Sequence, residues 1–165
     1  MSVDIFVCGV VVKAWGFVGS PKKNGNVDLL VSEVLKGLSS QGVEAVKVYL
    51  NDLSVRPCQS CGVDPSPKYC IFEDDMKQVY SALESCDVAV LGSPVYFDSV
   101  SAQTKLVIDR CNCLMPYVKQ ADWSFDFVRR LKKRKKGVFV AVAGPDQSFD
   151  AMLTTVKGFF NWGNI

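Results

Sequence analysis

Histidine is missing from the chain altogether. That excludes Ser–His–Asp and Cys–His catalysis, haem held by histidine and mixed His/Cys zinc sites within these residues, so any metal would sit on Cys, Asp or Glu. Long apolar runs are missing too: no stretch approaches the ~20 residues of a membrane-spanning helix. The apolar segment from Ile5 to Val12 follows Asp4 with no Lys or Arg ahead of it. Lys13 closes that segment before a cleavage site of small residues, so it does not read as a secretory signal. A soluble cytoplasmic protein without a membrane partner is expected. Neither sign of charge dominates, with 19 basic against 17 acidic side chains. The seven cysteines (8, 58, 61, 70, 86, 111, 113) are an odd number without a secretory signal, which argues against a disulfide framework. What is present is ample apolar material, 48% of 165 residues, enough for one domain over 1–165. A chain of this size buries roughly two-thirds of its unfolded surface.

Strand and helix patterns alternate. An apolar run over Val11–Val18 ends at Gly19-Ser20-Pro21, and Val27, Leu30, Val31, Val34, Leu35 and Leu38 then fall at helical spacing. Glu44–Leu50 alternates as a second strand. Residues 51–72 form a loop rich in Cys and Pro, and Asp74 or Asp75 can cap a helix presenting Met76, Val79, Tyr80 and Leu83. Asp87–Leu91 reads as a strand buried on both faces and stopped by Gly92-Ser93-Pro94. A helix from about Ser99 follows, then a second buried strand over Val138–Ala143 and a last helix with Met152, Leu153, Val156, Phe159 and Phe160 inward. This order implies right-handed βαβ units in a doubly wound α/β fold, a three-layer arrangement around a parallel sheet. Ligands in such folds bind outside the carboxyl ends of the strands, where the turns 19–26, 92–99 and 144–148 lie. The first turn, Gly19 to Asn26, offers flexible backbone, two lysines and a helix start, which together suit a phosphate. It is neither a Walker A loop nor GxGxxG, and an ordinary strand–helix turn with solvated lysines would look the same.

Three segments carry a family resemblance: Gly19-Ser20-Pro21-Lys22-Lys23-Asn24-Gly25-Asn26, Gly92-Ser93-Pro94-Val95-Tyr96-Phe97, and Ser101-Ala102-Gln103 with Ile108-Asp109-Arg110. In this order they resemble the NADPH-dependent FMN reductase-like flavoproteins, and within them the iron–sulfur flavoprotein branch, from about residue 12 onward. The resemblance implies a flavodoxin-like fold with sheet order 2-1-3-4-5 and FMN at the switch point. It implies that Ser20, Lys22, Asn26 and the Val27 backbone hold the FMN phosphate, that Pro94, Val95, Tyr96 and Phe97 line the flavin ring, and that Gly144 closes its other side. Tyr96 and Asp98 are then candidates for shaping an acceptor pocket, with the chemistry carried by the flavin rather than a side-chain acid or base.

Cys58-x2-Cys61-x2-Asp64-x5-Cys70 resembles the cluster loop of that branch, with Asp64 where the branch has a cysteine. Thiolates are the preferred cluster ligands and four are the norm. Five readings stay open here: Asp64 as an oxygen ligand, a three-iron cluster, a lost cluster, a redox dithiol and a zinc site. Cys8, Cys86, Cys111 and Cys113 receive no role, the last two because residues two apart on a helix do not share a face.

Arg129–Lys136 holds seven cations in eight positions, and without them the +2 chain would carry −5. A solvated loop end is the expected meaning, and nucleic acid is not an expected partner, because no RNA-binding aromatic motif accompanies the run. The chain departs from the resembled pattern at Val27, at Asp98 and in the third loop. Its last residue, Ile165, falls where the usual C-terminal fifth strand and helix would begin, so these are expected to be lacking. The extension over residues 1–10 could supply an extra strand from Asp4 to Gly9, and a homo-oligomer is expected to cover the sheet edge.

The functional expectation is an FMN-dependent oxidoreductase taking electrons from NAD(P)H or a ferredoxin-like donor to a small-molecule acceptor. The alternatives are an iron–sulfur electron carrier using the 58–70 loop, and a cofactor-free paralogue acting as a subunit or scaffold.

Overall fold

The computed structural model describes residues 11–165. In chain order the elements are β1 (Lys13–Val18), α1 (Asn26–Ser39), β2 (Glu44–Tyr49), α2 (Met76–Ser85), β3 (Val88–Tyr96), β4 (Ser99–Val100), α3 (Ala102–Arg110), β5 (Tyr117–Lys119), β6 (Phe125–Phe127), β7 (Lys136–Val142) and α4 (Asp150–Trp162). Four strands run parallel in the order β2-β1-β3-β7. This is the flavodoxin-like α/β arrangement over its first four positions. Among the described residues no strand lies beyond β7, and the expected strand at Asp4–Gly9 falls outside them.

The two faces of the sheet follow from side-chain alternation. Ala14, Val18 and Val90 face α1, whose Val27, Val31 and Leu35 are buried against them. Each buried Val or Leu contributes about 2 kcal/mol by area removed from water. Gly92 lets α1 come this close, because a Cβ there would stand 2.4 Å from Val31 and 2.9 Å from Val27. Phe17 and Leu91 face the other way, toward α2, α3 and α4, with Leu83, Val107, Met152, Val156 and Phe159 packed on them. Leu30, expected on the buried stripe of α1, is exposed, as is its neighbour Leu29. Among the described residues α1 is the one helix on its face, and nothing covers that flank.

Several boundaries differ from the sequence expectation. β3 does not stop at Gly92 but continues to Tyr96 and turns back into β4. The β1 side of β3 is vacant past Gly92, the last residue paired with β1, so Pro94 withholds no ladder hydrogen bond there. The helix expected from Ser99 begins at Ala102, after the β4 strand and the Ser101 cap. Nor is β7 buried on both faces: none of its residues is fully buried, because among the described residues it has only β3 beside it. Leu153 on α4 is exposed, while Met152, Val156 and Phe159 are buried as expected.

Lys132, Lys133, Arg134 and Lys136 of the cationic run are exposed, as a solvated loop end requires, but other members are engaged in the structure. Lys135 is buried and donates from Nζ to the carbonyls of Lys133 and Gly163, and Arg129 donates to the Asn161 carbonyl at the end of α4. Cations placed there complement the negative helix terminus. Lys133 pairs with Asp87 at 2.7 Å, and Lys132 and Arg134 remain exposed.

Candidate functional site

The loop between β1 and α1 is stapled to its neighbours by backbone and hydroxyl bonds. Gly19 N–H donates to the Gly92 carbonyl at 2.7 Å, and Ser101 Oγ donates to the Gly19 carbonyl at 2.6 Å. Ser101 also caps α3, accepting from the Thr104 N–H, while its own N–H donates to Ser93 Oγ at 3.0 Å. Gly19 is required here, because a Cβ would sit 1.8 Å from Thr104 Oγ1. The Ser101-Ala102-Gln103 motif is thus a buttress beneath the first loop.

α1 starts without a side-chain cap at Gly25. The N–H groups of Asn26, Val27 and Asp28 have no acceptor among the described residues, which leaves the positive end of the helix open to an anion. Ser20 is nearly buried, and its Oγ accepts from the Lys22 N–H at 3.2 Å. Lys23 is committed to Asp52 at 2.6 Å, whereas Lys22 makes no ion pair among the described residues and is the cation left over for a ligand. Val27 puts its side chain into the core, so only its backbone is available. Asp28 lies buried in the first turn, where its charge would repel an anion, but it is neutralised in place. Burial works against its ionisation, yet Lys47 at 2.7 Å, the Asn24 N–H at 2.7 Å and Tyr49 at 3.0 Å hold its carboxyl below the usual range. The same bond holds Asn24 in its left-handed conformation, φ 58°.

The second and third loops join across the top of the sheet. Phe97 and Asp98 both have positive φ, 51° and 57°, and form the two-residue turn between β3 and β4. A primed turn demands this of both central residues and normally takes Asn or Gly. Phe97 is 99% exposed and Tyr96 48%, whereas Val95 turns its side chain into the core and Pro94 is half-buried. Asp98 Oδ1 accepts from the Ser148 N–H at 2.7 Å, tying this turn to the third loop, and the exposed Gly144 donates to Gln147 Oε1. Asp98 is therefore engaged as a latch between loops, a role the sequence did not suggest.

The cysteine loop builds a different place. Cys58, Cys61, Asp64 and Cys70 line one cavity of about 290 Å³, together with Arg110 and Cys113. Arg110 is 2% exposed and is held by Asp74, through Nη1 at 2.5 Å and Nη2 at 3.1 Å. Burial opposes the charges of both partners, yet their mutual hydrogen bonds hold Asp74 below the usual carboxylate range and Arg110 above its own value. Asp74 also accepts from the Arg56 and Met76 N–H groups, so it both starts α2 and anchors the loop. Asp64 pairs with Arg130 at 3.2 Å, whose guanidinium also donates to the carbonyls of Pro67, Lys68 and Tyr69. As placed, no three Cys, Asp or Glu side chains among the described residues form a metal-ligand group. The loop quartet of Cys58, Cys61, Asp64 and Cys70 thus does not by itself fit a cluster.

Cys113, which had no assigned role, faces this cavity. It stands one turn after Arg110 and donates to the Arg110 carbonyl at 3.2 Å, and burial pushes its thiol up to about 11. The i,i+3 relation to Arg110 was the available signal, hidden by testing Cys113 against Cys111 alone. Cys86 and Cys111 are buried apolar thiols, and Cys8 lies outside the described residues.

Residues 12–164 match the sequence profile of the NADPH-dependent FMN reductases. The chain belongs to that family. It is 37% identical over 106 residues to an iron–sulfur flavoprotein of Archaeoglobus fulgidus, covering 64% of this chain and 47% of that one. It is likewise 37% identical over 99 residues to an iron–sulfur flavoprotein of Methanocaldococcus jannaschii, covering 60% and 51%. The chain thus spans about half the length of these curated relatives. Among solved structures, an FMN-dependent NADH-azoreductase of Bacillus anthracis in complex with FMN superposes with a TM-score of 0.62 at 13% identity, covering 93% of this chain and 82% of that one. That likeness shows the shared fold. Among the described residues no helix is long and apolar enough to cross a membrane.

Proposed function

We propose that this family member is an FMN-dependent oxidoreductase that takes electrons from NAD(P)H and passes them to a small-molecule acceptor. The observation that carries the reading is the uncapped start of α1, with three free N–H groups beside Ser20 and the unpaired Lys22. The residues fit a phosphate: the helix end supplies oriented donors, Lys22 supplies the unpaired charge, and the one acid in the first turn is already neutralised by Lys47. Ser20, Lys22, Asn26 and the Val27 backbone hold the phosphate in this reading. Pro94, Tyr96, Phe97 and the Val95 backbone form the wall for the ring, with Gly144 opposite. Bound FMN would supply hydride and single-electron chemistry, and the protein's part is placement and exclusion of water. Asp98 fixes the spacing between the second and third loops by holding the Ser148 N–H. A partner copy over the β7 edge, unpaired among the described residues, belongs to the same proposal.

The test is flavin titration of the chain and of Asn26→Asp. A carboxylate at the first helical position faces the phosphate, and at about 4 Å in a partly screened site such a repulsion is worth up to about 4 kcal/mol. A loss of affinity of at least about tenfold, or 1.4 kcal/mol, is expected with the melting temperature preserved. Equal affinity in the two proteins removes the phosphate assignment.

A second reading has an observation of its own. It is an iron–sulfur centre exchanging electrons from the 58–70 loop, supported by the naming of the relatives and by Cys58, Cys61 and Cys70 lining one cavity, although as placed these thiols do not form a ligand group. Iron and sulfide analysis of anaerobically purified protein tests it, and protein that takes up neither excludes it.

A further inference from the structure

Lys47 and Tyr49 stand two apart on β2, so both side chains leave the same face of the sheet, the one that carries α1. There they meet the first turn of α1. Lys47 Nζ donates to Asp28 Oδ1 at 2.7 Å and to Ser32 Oγ at 2.8 Å, one turn further along the helix. Tyr49 donates to Asp28 Oδ2 at 3.0 Å, beside the Asn24 N–H that the same oxygen accepts at 2.7 Å. The ammonium groups of Lys23 and Lys47 both lie over the Tyr49 ring, 4.9 and 5.0 Å from its centroid. Lys47 is thus spent on the carboxylate and on Ser32, below the helix start rather than at it.

An ordinary helix start needs no such ion pair. A neutral Asn or Ser side chain can accept from a backbone N–H there. Burying an ion pair adds little stability over a neutral pair, because desolvation offsets the attraction. What the pair does change is the field at the α1 start. Asp28 is the third residue of the helix, about 3 Å along the axis from Asn26, so its charge opposes the positive end of the helix dipole. Lys47 cancels that charge, as Lys23 cancels Asp52, and Lys22 is left as the surplus cation. Without Lys47 the surplus is gone, and an anion at the helix start meets a buried carboxylate across a weakly screened distance. Burial opposes the charge of Lys47, yet Asp28 and Tyr49 hold its ammonium above the ordinary lysine range, so the cancellation persists at neutral pH.

We propose that Lys47 is a positioning residue for the flavin phosphate: acting through Asp28 and touching no ligand, it sets the preference of the site for a flavin 5′-phosphate over the unphosphorylated flavin. This selectivity rests on the FMN reading above. Asp28 then has two tasks, holding Asn24 in its left-handed conformation and doing so without repelling the phosphate.

The experiment titrates the full chain, Lys47→Met and the double variant Lys47→Met/Asp28→Asn with FMN and with riboflavin at mildly alkaline pH, where an uncancelled Asp28 stays ionised. Thermal melting of each flavin-free protein is measured alongside. Lys47→Met is expected to lose at least about tenfold in FMN affinity and less than about twofold in riboflavin affinity, because riboflavin brings no charge to the helix start. In the double variant the uncancelled carboxylate is gone and an amide oxygen remains for the Asn24 N–H. Its FMN affinity is expected to return to within about threefold of wild type, whatever its melting temperature. That recovery separates a charge effect from a structural one, since a merely structural ion pair would leave the double variant no better than the single one. An unchanged FMN-to-riboflavin ratio in Lys47→Met, an equal loss of both flavins, or no recovery in the double variant overturns the role of Lys47 while the FMN reading stands. Wild-type protein that binds FMN no more tightly than riboflavin, or binds neither, overturns both.

Discussion

The start of α1 and the cysteine cavity are two ways of making a site. The first is built from backbone: three helix-end N–H groups, a glycine pressed on Thr104 and a serine buttress, all fixed before any ligand arrives. The second is built from side chains spread over the 58–70 loop and the end of α3, with two thiols held in place and two on an untethered segment. A backbone site tolerates sequence drift, since Val27 offers the same N–H as a Thr or Ser would. A side-chain site does not, because each donor atom lost must be replaced by another.

The largest expected effect falls on the cavity side. Asp74 is the hub beneath it, accepting two hydrogen bonds from Arg110 and one each from the Arg56 and Met76 N–H groups. Asp74→Ala leaves the buried guanidinium without its counter-charge, and such a loss costs about 3–5 kcal/mol. Urea denaturation is expected to show it. At temperatures where the variant stays folded, FMN affinity is expected to change little. Arg110 lies at the far end of α3 from the Ser101 buttress, and the nine-residue helix is about 14 Å long. Equal losses of stability and flavin affinity would show that the two regions are one unit.

Acid sharpens the same contrast. Asp74 and Asp28 both have carboxyls held below the usual range. A lowered folded pKa gives stability that is fully present above the unfolded value of about 4 and is lost as pH falls through the folded value. The urea midpoint is therefore expected to be flat from neutral pH to about 5 and to fall below about 4. In Asp74→Asn the neutral-pH midpoint is expected to be lower and the acid slope shallower, with the remaining slope owed in part to Asp28.

Much of this was legible before the structure. The four parallel strands and their helices follow from periodicity, because Val31, Leu35, Val90 and Val156 occupy positions that only one assignment buries. The three turns at the carboxyl ends of β1, β3 and β7 were legible for the same reason. Tertiary facts were not. The β5–β6 hairpin alternates in Phe125-Asp126-Phe127 but turns at Gln120–Trp123 without Gly or Pro, so nothing local announced it. The pairings of Arg130 with Asp64 and of Asp98 with Ser148 join residues 66 and 50 apart, and no spacing rule reaches that far. The bond of Cys113 to the Arg110 carbonyl was legible as an i,i+3 relation, whereas its contact with the Tyr80 hydroxyl joins residues 33 apart.

The smallest expected effect tests whether the backbone-built site holds strain for a purpose. Phe97 sits at φ 51° with its ring wholly in solvent, so it contributes no packing to offset a conformation that costs an L-residue about 1–2 kcal/mol. Phe97→Gly removes that cost and gives some back through the greater freedom of glycine in the unfolded chain, leaving a net gain of about 0.5–1 kcal/mol. Thermal melting of the flavin-free chain is expected to rise accordingly, while FMN affinity falls because the ring loses its wall. A gain in stability with no loss of affinity would mean that Phe97 does not touch the flavin and that the strain serves only the tight β3–β4 turn. Opposite movement of the two quantities would show that stability is given up at this turn to place an aromatic ring where the cofactor binds.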